Sequence, residues 1–335
     1  MKVMRITDFY EYDLSKIVSE IRNRKAKKVL LQLPNGVKRF SYEIIDEILK
    51  KLGSNSITID IDANPLYGSC IIDEDLVGKY DLVLHLGHEP YPYWKAPSNV
   101  VFIDLFSKVK VPNELLERLT NILERRSLRN VMLLTVQQHK NITDYVLSYL
   151  RSRGIYIVGK PLVITGCWFA NIAKYLDSID ALVVIAGGLF HAIGAGLHVN
   201  ASRSVFILDP YSNVVKDVTI DIRKILKIRL WKLKKAEESK TWLLIAGFSG
   251  QYRPYIIEEL KRHLKAKGVR YYIAYSRYVT LDMLRNVDNK LIDAVIISSC
   301  PRLAIEDLSG YEKPVLTPGE ALYVLGARND YTYPW

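Results

Sequence analysis

Asp81-Leu82-Val83-Leu84-His85 is a short apolar run opened by an aspartate. The chain repeats it as Asp180-Ala181-Leu182-Val183-Val184-Ile185 and again as Asp293-Ala294-Val295-Ile296-Ile297. Runs of this length between turn signals read as strands buried on both faces, the habit of parallel sheets. The same order of elements surrounds each run. Ahead of the first lie a helix over 14–24, a strand over 29–33, a second helix and a strand over 56–61. That second helix carries Ile44, Ile45, Ile48, Leu49 and Leu52 at helical spacing, with Ser41 placed to cap it and Gly53 to stop it. The strand over 100–103 closes the first copy. The second copy reads helix 113–126, strand 131–134, helix 145–153 ending at Gly154, strand 155–158, the Asp180 run and strand 205–208. The third reads a long basic helix 222–238, strand 242–246, a helix opened by Pro254 and stopped by Gly268, strand 269–273, the Asp293 run and strand 314–316. Helices alternating with apolar strands at a period of roughly a hundred residues are too widely spaced for a solenoid. The expectation is α/β: three similar Rossmann-like domains, residues 1–108, 109–214 and 215–335, with mostly parallel sheets arranged around a central three-cysteine site.

That site is read from Tyr67-Gly68-Ser69-Cys70, Thr165-Gly166-Cys167 and Ser298-Ser299-Cys300-Pro301-Arg302, which hold the only cysteines among 335 residues. No two of them form a CxxC, and an odd number in a chain with no secretory apolar stretch near Met1 argues against a disulfide framework and for a reducing, cytoplasmic setting. Each follows a strand-like run, where α/β proteins place their chemistry. Cys300 comes directly after its Asp-opened strand, whereas Cys70 and Cys167 come one strand earlier in their copies. The spacing leaves three readings open: buried structural thiols, zinc with three protein ligands and a water, or a [4Fe–4S] cluster with one iron left open. His88, His139 and His191 are available to a zinc site.

The net charge of +11 points to an acidic partner or a solvated basic exterior. Neither zinc-finger spacing nor an aromatic RNA-binding motif is present, so no direct nucleic-acid readout is expected. No apolar run reaches the roughly 20 residues that span a membrane. The basic stretch 223–240, with Ile222, Ile225, Leu226, Leu230 and Leu233 as its apolar face, reads as a packed helix with a solvated outer side, or as a surface that steers an acidic partner.

The motifs, taken in order, resemble one family. Tyr67-Gly68-Ser69-Cys70, His85-Leu86-Gly87-His88, Thr165-Gly166-Cys167, Gly187-Gly188-Leu189-Phe190-His191 and Cys300-Pro301-Arg302-Leu303 are similar to those of the archaeal iron–sulfur enzyme of the first step of diphthamide biosynthesis, over roughly residues 25 to 325. The Gly-Gly-x-Phe-His and Cys-Pro-Arg-Leu runs are the most specific. The resemblance implies a homodimer and a [4Fe–4S] cluster on Cys70, Cys167 and Cys300. It also implies radical transfer of the 3-amino-3-carboxypropyl group from S-adenosylmethionine to C2 of a histidine of translation elongation factor 2, with an electron donor to reduce the cluster. Gln251 matches a family glycine–glutamine pair and is expected to bind the nucleotide or amino-acid part. Arg302 is expected to meet the substrate carboxylate, and His88 and His191 to line the site. His85 reads as a core histidine, and His198 and His263 carry no signal. Leu189 and Glu89 depart from the family pattern, so no role is carried over to them. A quinolinate synthase-like enzyme of small carboxylic acids, a non-catalytic partner subunit of the same fold and a basic RNA-binding protein with structural thiols are the competing readings.

Overall fold

The structure, a computed structural model, describes residues 4–53, 56–169 and 171–335. The chain forms two compact units: residues 1–110 with 136–143, and residues 111–135 with 144–335.

The first unit holds a fully parallel sheet in the order Thr58–Ile61, Lys28–Gln32, Leu82–Leu86, Val100–Ile103. Alternate residues of its strands face opposite sides, as the pleat requires. Val29, Leu31, Leu82 and Leu84 pack on Ile17, Ile21, Ile44 and Ile48 of the helices Leu14–Asn23 and Ser41–Leu52. Leu30 and Val83 pack on Ile72 and Val77. Gly53 stops the second helix at φ 67°, as expected of a left-handed cap. Ser41 is not the cap. A 3-10 turn over Asn35–Phe40 precedes the helix, Ser41 is already its first residue, and its hydroxyl donates back to the Lys38 carbonyl at 2.6 Å.

The second unit holds two sheets. One runs Tyr156–Ile157, Asn130–Thr135, Ala181–Ile185, Ser204–Asp209 in parallel, with Val214–Asp217 antiparallel at its edge and Leu162–Val163 also paired to Asn130–Thr135. The other runs Arg270–Tyr275, Thr241–Ala246, Ala294–Ile297, Val315–Leu316, all parallel. In all three large sheets the second strand of the copy pairs with the first, the first with the third, and the third with the fourth. The reversal between first and third strands leaves a crevice at their carboxyl ends, where open α/β sheets bind ligands.

The repeated aspartate explains itself here. Asp81 Oδ2 accepts from the Lys27 and Lys28 amides at 2.9 and 2.8 Å, Asp180 Oδ2 from Arg129 and Asn130 at 2.9 and 2.7 Å, and Asp293 Oδ2 from Lys240 and Thr241 at 2.9 and 2.9 Å. Each pins the start of the third strand to the start of the first by satisfying two backbone donors that the sheet edge leaves over.

The basic helix spans Thr219–Ala236. Its inward face is Ile222, Arg229, Lys232, Leu233 and Ala236, whereas Leu230 is 43% exposed. The correction has a polar cause. Arg229 takes the core position because Glu320 waits there: Nε and Nη2 donate to its carboxylate at 2.8 and 2.6 Å, and the Ala304 and Val315 carbonyls accept from Nη1 and Nη2 at 2.9 and 2.6 Å. Burial pushes the Glu320 carboxyl upward, but Arg229 and the hydrogen bonds from Arg229, Thr317 and Tyr331 outweigh it and hold the group below the usual carboxylate range. Among the described residues no helix is long and apolar enough to cross a membrane.

Candidate functional site

Cys300 stands three residues beyond the end of the third strand of its sheet, Ala294–Ile297, and Gln251 closes the 3-10 turn Ser249–Gln251 beyond the first strand, Thr241–Ala246. The two therefore flank the carboxyl-end crevice of that sheet. Gly247 lets them do so, since a Cβ there would run into the side chains of Gln251 and Ser299. Arg253, fully buried, ties the loop down by donating from Nη1 to the Ser298 and Ser299 carbonyls at 2.9 and 3.1 Å.

Cys167 lies in the same unit on a tight turn closed by the Thr165–Trp168 bridge, with Thr165 Oγ1 3.7 Å from its sulfur. Burial, then the neighbouring Cys167, pushes the Cys300 thiol up to about 11, while the Arg302 and Leu303 amides and the Arg253 charge pull the other way. Cys300 is thus biased against a bare thiolate, a bias that a bound cation would reverse. Among the described residues no three His, Cys, Asp or Glu side chains are gathered closely enough to hold a single metal ion.

Phe190 joins the remaining pieces. Its ring fills the space where Gly166 lacks a Cβ, packs edge-on to His191 at 5.1 Å, and lies 5.4 Å under the Arg302 guanidinium. Arg302 is 44% exposed and pairs through Nε with Glu306 at 2.9 Å. Its two Nη groups have no protein partner among the described residues. The end of the chain closes over this region. Trp335 Nε1 donates to the Cys167 carbonyl at 2.9 Å and its ring stacks 3.9 Å from the Arg253 guanidinium. His198 Nδ1 donates to the Tyr333 carbonyl at 2.9 Å, and Gly319 N to that of Pro334 at 3.0 Å.

In the first unit, half-buried Cys70 sits on the 3-10 turn Ser69–Ile71, beyond the second strand Thr58–Ile61; Ser69 Oγ donates to the Glu89 carbonyl at 2.6 Å. At the carboxyl end of the third strand a buried polar chain runs Asp62, Gln32, His85, His88. Gln32 Nε2 donates to Asp62 at 2.9 Å, so Gln32 Oε1 must accept from His85 Nδ1 at 2.9 Å. His85 Nε2 is then the lone-pair nitrogen and accepts from His88 Nδ1 at 2.9 Å. The chain fixes His88 with a bare Nε2, which has no protein partner among the described residues. His139 is fully buried in the 3-10 turn Gln137–Ile142, its Nε2 3.3 Å from the Gln138 amide.

Burial holds His88 down at about 4, and burial with the neighbouring His88 holds His85 well below the usual histidine range. Both lie below the unfolded value of about 6.5, so the unfolded chain binds more protons as pH falls. The first unit should therefore lose stability between about pH 6.5 and 4, on the order of 3 kcal/mol from His88 alone. Urea midpoints measured across that range test this; His88→Asn should flatten the slope, and an unchanged slope would refute it.

A family model for the diphthamide synthesis protein matches residues 33–335. The chain belongs to the diphthamide synthesis family. It is 28% identical to the 2-(3-amino-3-carboxypropyl)histidine synthase of Pyrococcus horikoshii, over 97% of this chain and 93% of that one. It is 26% identical to subunit 1 of the human protein of the same name, over 94% of this chain and 72% of that one. Its fold is similar to the crystal structure of Dph2 from Pyrococcus horikoshii with a 4Fe-4S cluster, with a TM-score of 0.81 and 26% identity over 97% of this chain and 94% of that one.

Within this diphthamide synthesis chain, the second unit brings together Cys167, Cys300, Gln251, Arg302 and His191, and the first brings His88 to the sheet end beyond which Cys70 also lies. Sequence reading passed over Arg253, Phe190, Tyr333 and Trp335. Only Phe190 had a signal, its place between Gly187-Gly188 and His191. Arg253 and the last residues act through contacts with segments far away in sequence.

Proposed function

We propose that this chain is a transferase of the first step of diphthamide biosynthesis, moving the 3-amino-3-carboxypropyl group of S-adenosylmethionine to C2 of a histidine ring in translation elongation factor 2. The observation that carries the proposal is the Cys167–Cys300 pair at a sheet-end crevice in a chain of this family. Cysteine thiolates are the donors that a [4Fe–4S] cluster takes, and Cys70, Cys167 and Cys300 would supply three of them. When bound, such a cluster supplies one electron, which breaks the sulfur–Cγ bond and leaves methylthioadenosine and a 3-amino-3-carboxypropyl radical.

The protein's own residues hold and shield the reactants. The Arg302 and Leu303 amides and Arg253 favour the Cys300 thiolate. The two open Nη groups of Arg302 offer a fork to the substrate carboxylate. Gln251, beside Cys300, binds the nucleotide or amino-acid part. His88 offers Nε2 as an acceptor, and His191 packs beside Phe190. The same reading implies an electron donor, a cytoplasmic setting and a homodimer. The exposed Ile220, Ile228, Leu230 and Trp231 of the basic helix supply apolar surface for a second copy.

The test is an anaerobic assay with reconstituted chain, dithionite, S-adenosylmethionine and archaeal elongation factor 2. Methylthioadenosine with a matching mass gain on the factor's histidine is expected. A loaded chain that transfers nothing would shift the assignment to a partner subunit or a small-acid enzyme.

A further inference from the structure

Tyr333 is 3% exposed, and its hydroxyl is buried with no hydrogen-bond partner among the described residues. An unmade hydrogen bond on a buried hydroxyl costs roughly 1–3 kcal/mol, and native proteins tolerate few. The ring is not free to turn the group outward. The backbone on both sides is fixed by His198 and Gly319, the ring packs 6.1 Å from Phe169, and two residues on Trp335 holds the Cys167 carbonyl. Burial, and after it the Cys300 and Cys167 thiols, hold the Tyr333 phenol well above its ordinary value. The neighbouring Tyr331 shows the contrast: its hydroxyl is fully occupied in donating to Glu320 at 2.9 Å.

We propose that the Tyr333 hydroxyl donates a hydrogen bond to sulfur of the metal centre held by Cys167 and Cys300, and so sets its reduction potential. The inference rests on the cluster reading of the site and adds a positioning residue to it. A phenol is an O–H donor at neutral pH. Sulfur, as cysteine thiolate or as sulfide, carries more negative charge in the reduced than in the oxidised centre. A donor aimed at sulfur therefore stabilises the reduced form more and raises the potential, as hydrogen bonds to sulfur do generally in such centres. Placing it in a dry pocket strengthens the effect, since no water competes.

The experiment uses the full chain, reconstituted anaerobically with iron and sulfide, as wild type, Tyr333→Phe and Tyr331→Phe. Potentiometric titration followed by electron paramagnetic resonance of the reduced centre gives the potential. Tyr333→Phe should shift it negative with unchanged iron content, while Tyr331→Phe should lower the melting temperature and leave the potential in place. Equal potentials for wild type and Tyr333→Phe, a positive shift, or an equal shift in Tyr331→Phe would overturn the inference. So would loss of iron from Tyr333→Phe alone, which would assign the hydroxyl to holding the centre instead of tuning it. A wild-type chain that takes up no iron removes the cluster reading itself, and that result is seen before any variant is compared.

Discussion

Glu320→Ala should destabilise the second unit by about 3–5 kcal/mol, because it strands the buried Arg229 charge without a counter-ion. The loss reaches further than one pair. Glu320 also accepts from the Thr317 amide at 2.8 Å and from the Tyr331 hydroxyl, so the cap of the helix Pro318–Val324 and the anchor of the chain's last residues go with it. Replacing both partners, Arg229→Met with Glu320→Leu, should recover much of the loss, since apolar residues of similar volume often substitute well for a buried ion pair. Urea unfolding of the three proteins reads this out. Glu320→Ala as stable as wild type would show that the pair contributes nothing. The pair also has a pH signature. A carboxyl held below its unfolded value near 4.5 adds stability above that pH and loses it as pH falls toward its folded value.

Cys300→Ala should do the opposite: leave the fold intact and remove the chemistry. The half-buried thiol forms no disulfide, so stability should stay within the ordinary range of a tolerated substitution, about 0.5 kcal/mol. Iron content and charge-transfer colour after anaerobic reconstitution should collapse, and transfer to the elongation factor should fall below detection. Full transfer by Cys300→Ala would return the cysteine to packing. Arg302→Lys is informative beside it, because a point charge cannot replace a planar fork at a carboxylate.

The strands were legible because parallel sheets demand apolar runs, and the three aspartates marked where those runs begin. For the cysteines, the reading as cluster ligands came only from the motifs around them, since a lone buried thiol has no pattern of its own. Arg229 misled the reading of the basic helix: an arginine at a core position looks like one more surface charge until its partner, ninety-one residues away, is placed. The Gln32–His85 contact was hidden for a similar reason. It depends on the register that sets those two residues side by side on neighbouring strands. Ser41 was misread because a hydroxyl at a helix start can turn backward to a carbonyl as readily as forward to an amide.

The aspartate clasps also bear on how the chain reaches this state. They join residues 53, 50 and 52 positions apart in the three sheets. The entropic cost of closing a loop grows only as the logarithm of its length, so these closures differ by less than about 0.1 kcal/mol. Topology thus gives none of the sheets a head start. Which one forms first is left to the strength of its apolar contacts, and a mutation that weakens one sheet's core should reorder the folding sequence without lengthening any loop.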